Sequence, residues 1–514
     1  MDLSRLGFAT AALASAIPAR RCPVNAMGLL ASCRVAWEQG ARLVALWGSD
    51  DRDRDRGYTL HVVVRDADGL VMFEHTLPNA ESMYPDLSIV FPAANRMQRA
   101  TFDLVGIASE AEDQRPWVWQ ASWPIDCYPL RRDFEALPKW QPGQEDYAFV
   151  RVEGDGVHEI PVGPVHAGII EPGHFRFQVV GEKVLRLEER LGFVHKGIEK
   201  RFEAMAAATG HRLAGRVSGD STVAYALAYS QALEAMTGTP PPDRALWLRA
   251  LALERERIAN HLGDLGYLGN DGGFAFGLSQ FSRLKEGVLR TNLALFGHRL
   301  AMDYVMPGGV ALDFPPEVRS AVLDECDLLE REVSVLRDIY DEHDGLQDRF
   351  RLCGIVAPEL AAKLGLTGLA GRASGQAHDL RVDFPAAPYD TLGLRTMSSQ
   401  AGDVAARVAL RFDELGESLR LVREIVARLP EGEVRTELPE PDSYRKGLGC
   451  VEGWRGAVLV ALECGPGGTI RRCHPHDPSW TNWPVLEHAV IGNIVPDFPL
   501  INKSFNLSYS GQDL

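Results

Sequence analysis

The chain lacks three features that each mark a large class of proteins. It has no run of about twenty uninterrupted apolar residues, so we expect no transmembrane segment of its own. Basic residues are few, since 54 Lys and Arg stand against 70 Asp and Glu for a formal charge of −16. Nucleic-acid binding needs a concentrated cationic surface, so we exclude a nucleic-acid partner. A Rossmann-type glycine fingerprint is also missing.

Cysteines are few and dispersed. The closest pair among the eight, Cys464 and Cys473, is nine positions apart, and no C-x-x-C occurs. This spacing argues against a local zinc or iron–sulfur site and favours reduced, buried thiols. The segment Cys473-His474-Pro475-His476-Asp477 could in principle hold zinc. We expect a surface or interface turn there instead, because proline prevents a helix and one turn rarely presents three ligands.

The length of 514 residues predicts at least two domains, because single cores stop growing near 250–300 residues. Short β-branched runs at Leu43–Trp47 and Leu60–Val64 predict strands, with Asp50–Gly57 as a solvated hairpin loop between them. The Pro- and Gly-containing segment Pro138–Asp146 is typical of a linker. We therefore predict domains at 1–140 and 161–514, joined by a linker at 141–160.

The segment Leu6–Ala16 allows two interpretations. Its length and small residues match the core of a signal peptide, but Asp2 offsets Arg5 and leaves little positive bias ahead of it. We favour a first amphipathic helix of the folded domain.

The remainder combines strands and long helices. Residues Tyr147–Lys183 and Gly449–Thr469 are strand-like, and an irregular, aromatic and proline-rich tail follows the second. Apolar residues at three- and four-residue intervals predict helices at Asp243–Leu268, Phe281–Tyr304, Pro315–His343 and Asp403–Leu429. Together these signals predict an α+β fold, with a small N-terminal α/β domain and a large, mostly helical second domain with small β-sheets.

Two segments of the first domain carry a family resemblance. Phe91–Arg96 leads into Arg99–Ile107, and Tyr128–Phe134 follows. They resemble the P-A-A-x-W-x-E-R-E-x-x-D-[LM]-F-G-I and H-P-L-R-[KR]-D-F segments of the small peripheral-arm subunit of complex I, the proton-pumping NADH:quinone oxidoreductase.

From about Val162 onward, the chain is similar to the catalytic subunit shared by complex I and membrane-bound nickel–iron hydrogenases. The matching segments are Gly163–His166, Glu171–Arg176, His195–Lys200, Glu254–His261, Arg372–Gly375, Asp379–Arg381 and Tyr389–Asp390. The fused order of the two parts resembles that of the large subunit in formate-hydrogenlyase-type complexes. The resemblance implies a hydrogenase large-subunit-like second domain.

Four positions depart from the hydrogenase pattern. Hydrogenase large subunits carry R-[IV]-C-G-x-C and C-x-x-C, whose four cysteines hold the metals. Here the corresponding residues are Ser218, Ser221, Ser508 and Gly511. Nickel binding needs soft, anionic ligands, and a hydroxyl that keeps its proton is a poor replacement. We therefore expect no nickel–iron centre, no cofactor held by this chain and no hydrogenase activity.

Several polar residues remain in these segments. Glu171 and His174 match the hydrogenase R-x-E-G-H segment, whose glutamate is thought to relay protons. With Arg216, Asp220 and Ser508 they could form a buried cavity with shifted pKa values that relays protons. The alternative is a scaffold role in which Glu171 and Arg216 form a satisfied buried ion pair.

The quinone site of complex I is only partly matched. In complex I a tyrosine that helps hold the quinone headgroup occupies the position of Arg216, and a guanidinium cannot donate a proton as a tyrosine might. On the helix that follows, Glu254 to Arg257 alternate in charge near His261, which is typical of a salt-linked face. A partner contact and a structural role remain equal alternatives for that face.

The resemblance implies a peripheral-arm subunit of a membrane-bound, complex-I-like oxidoreductase, on the cytoplasmic face of the inner membrane. Its implied partners are a small iron–sulfur subunit, a ferredoxin-like iron–sulfur subunit and membrane subunits that translocate ions. Such a complex couples electron transfer, with NADH and quinone as possible reactants, to ion movement. The alternative is a non-catalytic subunit that links the iron–sulfur and membrane subunits.

Overall fold

The computed structural model of the chain describes residues 7–124, 126–134, 143, 147–166 and 170–514. Of the predicted linker at 141–160, the structure describes residues 143 and 147–160. The other linker residues lie outside the described part of the chain. Within the described part, no helix has the length and apolar character needed to cross a bilayer.

The N-terminal part is an α/β unit built on one five-stranded sheet. Its elements are β1 (Ala11–Ala12), β2 (Ala14–Ser15), β3 (Ala19–Val24), α1 (Ala26–Glu38), β4 (Arg42–Asp50), β5 (Tyr58–Asp66), β6 (Gly69–Leu77) and α2 (Ala94–Val105). The strand order is β1-β3-β6-β5-β4, with β3 and β6 parallel and the other pairs antiparallel. Both predicted strands are confirmed, within β4 and β5.

A three-stranded sheet and a set of helices follow. The strands β7 (Val157–Val162), β8 (His174–Val180) and β9 (Lys183–Arg190) are antiparallel neighbours in that order. The elements after them are α3 (Ile198–Phe202), α4 (His211–Ala214), α5 (Thr222–Thr237), α6 (Asp243–Asp271), α7 (Ala275–Phe296), β10 (Val305–Met306), β11 (Gly309–Val310) and α8 (Arg319–Glu342).

The C-terminal third contains further helices around a second sheet. Its elements are α9 (Asp344–Phe350), α10 (Pro358–Leu364), α11 (Gly368–Ala373), α12 (Leu380–Asp383), α13 (Tyr389–Leu392), α14 (Val404–Arg428), β12 (Arg445–Glu452), β13 (Ala457–Cys464), β14 (Ile470–His476), α15 (Ser479–Ala489), α16 (Phe498–Phe505) and α17 (Tyr509–Asp513). All four predicted long helices are present, although α7 begins and ends earlier than predicted. The α+β fold is confirmed.

The two large sheets pack face to face. The second sheet has the order β14-β13-β12-β2, so β2 of the N-terminal unit pairs in parallel with β12. Trp47 and Val63 of the first sheet share a small core with Leu448 and Leu459 of the second. The opposite face of β5, including Val62, belongs to the main core. Burial on both faces explains why three consecutive residues of β5, Val62–Val64, are all apolar.

The prediction of an N-terminal amphipathic helix is wrong. Ala11–Ala12 and Ala14–Ser15 are short strands that extend the edges of both large sheets. Leu13 between them packs against the core that the two sheets share. Backbone pairing with existing strand edges therefore overrides the helix propensity of this alanine-rich segment.

Three further local predictions are wrong in whole or in part. Asp50–Gly57 is the predicted hairpin loop and its middle residues are exposed, but Asp50 and Asp51 are buried, and Asp51 pairs with Arg471 of β14 at 2.8 Å. The Cys473–Asp477 segment is part of buried strand β14 and its end, not a surface or interface turn. The predicted irregular tail forms α15, α16 and α17. The first two errors concern polar residues that contacts between the two sheets bury, as Asp51 with Arg471 and His474 with Trp47 show. The third misses helices in a segment that contains prolines.

Helix α5 lies unusually close to β12. A Cβ on Gly449 would stand 1.8 Å from the carbonyl oxygen of Ala228, and a Cβ on Gly447 would stand 2.3 Å from that of Ala232. Glycines on the strand and alanines on the helix thus allow direct contact between the two backbones. This contact fixes the start of α5 beside the C-terminal sheet, where the candidate site lies.

Candidate functional site

The two serine-bearing segments meet in the folded chain. Ser218 ends the turn before a short 3₁₀ segment at Gly219–Ser221, and Ser508 is the N-cap of α17. Their hydroxyl oxygens are 2.9 Å apart, and both residues are buried. The Ser508 hydroxyl also accepts a hydrogen bond from the Gly511 amide at 2.9 Å, which satisfies a free donor in the first turn of α17.

Asp220 and Arg455 form the charged centre of the site. Two Arg455 nitrogens donate to the two Asp220 oxygens, at 2.7 and 2.5 Å. The Ser218 hydroxyl donates to the same carboxylate at 2.8 Å. Burial would raise the pKa of Asp220, but the Arg455 charge and these hydrogen bonds outweigh it and lower the pKa to about 2. Asp220 is therefore an anion at neutral pH and no proton donor.

Arg455 comes from the tight β12–β13 hairpin. Its guanidinium lies 4.0 Å from the ring centroid of Trp454, and its Nε donates to the carbonyl oxygen of Asn506 at 2.6 Å. The Trp454 indole donates to Ser221 Oγ at 3.1 Å. Sequence reasoning missed both residues. One signal was available in the sequence, because Trp454 and Arg455 lie between two apolar, strand-like segments. A charge that such a hairpin buries needs a partner of opposite charge.

The position of Gly511 has no room for a side chain. A Cβ built there would lie 2.4 Å from Oδ2 of Asp477 and 2.6 Å from its carboxyl carbon. Asp477 cannot easily turn away, because it accepts hydrogen bonds from the Tyr225 hydroxyl at 2.6 Å and the Ser479 amide at 2.8 Å. The Asp477 carboxylate therefore occupies the space that a side chain at position 511 would use.

The other sequence-predicted residues lie at the edge of the site. Glu171 is exposed and accepts a hydrogen bond from the Ser510 amide at 3.0 Å. Half-buried His174 is in β8, where Nδ1 lies 3.3 Å from the carbonyl oxygen of Gly163. Arg216 is exposed and pairs with Asp303, with Nη2 2.8 Å from Oδ2. The predicted buried Glu171–Arg216 ion pair is therefore wrong, and the predicted five-residue cluster is reduced to Asp220 and Ser508.

A lysine that sequence reasoning missed holds the two segments together. Lys196 Nζ donates to the carbonyl oxygen of Val217 at 2.8 Å, and its backbone amide donates to that of Leu514 at 3.0 Å. Asp513 accepts from the Val194 amide at 2.9 Å. Burial raises the pKa of Asp513 to about 7, although two backbone amides oppose that rise. The loop before α3 thus positions both segments.

The alternating charged residues Glu254–Arg257 of α6 are buried. Glu254 bonds to the Arg381 guanidinium at 2.8 Å and to the Ser418 hydroxyl at 2.7 Å. Glu414 of α14 accepts from Arg372 at 2.7 Å and lies 3.2 Å from His261. Because these contacts are internal, the structural interpretation of the salt-linked face is favoured over the partner-contact one.

The histidines of β14 stack on rings instead of gathering around a metal position. The His474 ring stacks on the Trp47 ring at a centroid distance of 4.6 Å, and the His61 ring also stacks on Trp47, at 4.9 Å. His474 Nδ1 also lies 2.7 Å from Glu199. In the described part of the chain, no group of three or more His, Cys, Asp or Glu has a geometry that could hold a metal ion.

Both the N-terminal and the C-terminal part of the chain match known protein families. The family described as the respiratory-chain NADH dehydrogenase 30 Kd subunit matches residues 23–139, and the 49 Kd subunit family matches residues 271–447. Formate hydrogenlyase subunit 5 of Escherichia coli (strain K12) is 30% identical over 93% of this chain and 85% of that protein. Hydrogenase-4 component G of the same organism is 30% identical over 92% of this chain and 83% of that protein.

A solved structure shows the same fold for the larger part of the chain. A chain of the membrane-bound sulfane sulfur reductase, an archaeal respiratory membrane complex, matches with a TM-score of 0.66 and 25% identity. The match covers 70% of this chain and 99% of that one. The relatives thus include subunits of membrane-bound hydrogenases and of complex-I-like assemblies.

Proposed function

The chain belongs to the family of fused 30 Kd- and 49 Kd-type subunits that includes formate hydrogenlyase subunit 5, and from this membership we propose its role. It is a peripheral-arm subunit of a membrane-bound oxidoreductase that couples electron transfer to ion translocation, and it holds no nickel–iron site of its own. The domain boundaries at residues 140 and 160 remain a prediction.

The donor set supports the proposal that nickel is not bound. Ser218, Ser221 and Ser508 offer protonated hydroxyls, and Gly511 offers no side chain. Soft thiolates suit nickel, whereas such hydroxyls do not. Arg455 adds a permanent positive charge, which opposes a metal cation at the same place. The observation that carries the proposal is the direct 2.9 Å contact between the Ser218 and Ser508 hydroxyls, which makes them partners of each other.

Elemental analysis tests this part directly. We expect the purified native complex to contain less than about a tenth of a nickel atom per chain and to catalyse no exchange between H₂ and water. A nickel–iron hydrogenase purified in parallel controls for loss of metal. One nickel per chain, or exchange activity that copurifies with this subunit, would contradict the proposal.

Glu171 is the residue we assign to proton handling. It is exposed at the edge of the site, and its contact with the Ser510 amide joins it to the second segment. Glu171→Gln keeps an acceptor for that amide but loses the exchangeable carboxyl proton. We expect ion translocation to fall at least about tenfold in this variant, with the complex still assembled. Unchanged translocation would refute the assignment.

The partners follow from the family. We propose a small iron–sulfur subunit, a ferredoxin-like iron–sulfur subunit and membrane subunits that move ions, on the cytoplasmic face of the inner membrane. Affinity purification from detergent-solubilised membranes, followed by mass spectrometry and iron and acid-labile sulfide analysis, tests this set. Recovery of the chain without iron or membrane subunits would argue against it.

A second candidate is a non-catalytic subunit that links the iron–sulfur and membrane subunits. The observation that favours it is the Asp220–Arg455 ion pair, whose groups already satisfy each other within the site. Asp220→Asn separates the candidates when electron-transfer rate and assembly are both measured. A lower rate in an intact complex supports a reacting site, whereas an unchanged rate supports the linking role.

A further inference from the structure

A cavity outside the serine-bearing site opens where β4 and β5 of the first sheet approach α12. Its volume is about 310 Å³, at the lower end of the range for small-molecule sites. Arg42 and Arg65 line it from the N-terminal unit, and His378 and Asp383 line it from the C-terminal part of the chain. The cavity therefore combines two guanidinium groups with residues that are distant in sequence.

The two arginines lie directly opposite each other across the sheet. Arg42 and Arg65 are partners in the register of the antiparallel strands β4 and β5, so their side chains leave the same face. Like charges at such a position destabilise a sheet. Negative charge close to both side chains would remove this cost.

Within the described residues, a carboxylate pairs with one of these arginines only. Arg65 Nη1 lies 3.5 Å from Asp383 Oδ2. The same oxygen lies 3.3 Å from His378 Nδ1, so Asp383 is shared between two partners. The other acidic residue in the lining, Asp66, accepts two backbone amides of its own turn with Oδ1. No carboxylate of the described chain lies within ion-pair distance of Arg42.

Arg42 retains unused donors. In the described part of the chain, its one hydrogen bond runs from Nη2 to Oε1 of buried Gln376 at 2.6 Å, and an amide carries no compensating charge. Its Nε and Nη1 have no acceptor there, and neither nitrogen is fully enclosed by protein. Burial and the Arg65 charge lower the pKa of Arg42 to about 10, so Arg42 remains a cation at neutral pH.

We infer that this cavity binds a small anion that carries a carboxylate or phosphate head. The head accepts hydrogen bonds from the unused nitrogens of Arg42 and offsets the repulsion between Arg42 and Arg65. A guanidinium suits such oxyanions in both charge and geometry. The whole chain has a formal charge of −16, so general attraction of anions to its surface does not explain binding here.

Calorimetric titration of the purified full-length chain with phenyl phosphate, benzoate and benzyl alcohol tests the inference. All three carry a phenyl ring, which suits the lining residue Phe384, but benzyl alcohol is neutral. We expect one site per chain that binds at least one anion about tenfold or more tighter than benzyl alcohol. The tighter anion identifies the head as phosphate or carboxylate. Absence of binding by both anions, or equally tight binding of benzyl alcohol, would overturn the inference.

Ala67 offers a matched pair of variants that locates the site. This residue is exposed in the turn between β5 and β6 and lines the cavity. Ala67→Glu and Ala67→Gln add side chains of nearly equal shape, but only the first adds negative charge. We expect anion binding about fivefold or more weaker in Ala67→Glu than in Ala67→Gln. Equal anion binding by the two variants would refute the location.

Arg42→Gln tests the main donor. Removal of the guanidinium should weaken anion binding at least about tenfold, whereas Arg34→Gln, at an exposed position of α1, should leave it unchanged. If Arg42→Gln fails to fold because Gln376 loses its donor, the Ala67 pair still decides the question. Undiminished anion binding in folded Arg42→Gln would refute the assignment.

Discussion

Replacing Gly511 with alanine sets two physical effects against each other. Gly511 lies inside α17, where the backbone alone favours alanine over glycine by about 0.5–1 kcal/mol. The new Cβ, however, would lie 2.4 Å from Oδ2 of Asp477. Moving that carboxylate breaks its hydrogen bonds to Tyr225 and Ser479, each worth about 1.5–3 kcal/mol for a charged acceptor.

Moving α17 instead is the cheaper response. Overpacking of this kind costs about 1–3 kcal/mol, so the clash exceeds the gain in helix propensity. We expect Gly511→Ala to lower the free energy of unfolding by about 1–2 kcal/mol. Gly416→Ala is the control, because Gly416 is exposed in α14 and its Cβ would meet nothing within 4 Å. That variant should gain about 0.5–1 kcal/mol.

Urea unfolding of the full chain measures both variants as shifts of the midpoint at constant m. A third measurement isolates the contact. In an Asp477→Ala background the carboxylate is gone, so the penalty of Gly511→Ala should fall by at least half. If Gly511→Ala is as stable as the parent, or if its penalty is equal in both backgrounds, Asp477 does not fill the position and the description of the site is wrong.

Three further perturbations test other parts of the structure. Ser508→Ala removes the N-cap of α17 and should cost about 1 kcal/mol in urea unfolding, whereas Ser443→Ala at an exposed position should cost almost nothing. Arg372→Met removes the guanidinium that pairs with both buried Glu414 and buried Glu452 and should cost about 3–5 kcal/mol; a smaller loss than in Ser508→Ala would refute the network. Burial raises the pKa of Asp513 from 3.8 to about 7, so the folded chain keeps a proton that the unfolded chain releases, and stability falls as the pH rises from about 4 to 7. Asp513→Asn lacks this term, so its stability relative to the parent should increase between pH 4 and pH 8, and a flat difference would exclude the shift.

The sequence contained enough information for the long elements of the fold. Periodic apolar residues predicted α6, α8 and α14, because a helix that buries one face must repeat its apolar positions every three to four residues. The β-branched runs predicted β4 and β5, because β-branched residues are enriched in strands. Both signals depend only on neighbouring residues, so they can be recognised without knowledge of the tertiary structure.

Burial between units was not predictable in the same way. His474 and Asp51 are polar, and polar residues are usually exposed, yet each is buried against a partner hundreds of positions away. Ala14 and Ser15 became a strand only because β12 offers an unpaired edge. Each of these outcomes depends on how two distant segments meet, which no window of sequence contains.

The candidate site combines both cases. The sequence motifs identified the two serine-bearing segments. They could not identify Arg455 or Asp477, because both residues reach the site only through contacts between segments that are distant in sequence. Arg455 neutralises Asp220. Asp477 fills the space beside Gly511 and accepts a hydrogen bond from the Tyr225 hydroxyl. Cysteines placed at the four positions would therefore stand beside the Asp220 carboxylate, and the one at 511 would also meet Asp477. Arg455 and Asp477 thus shape this site as directly as the residues at the four motif positions do.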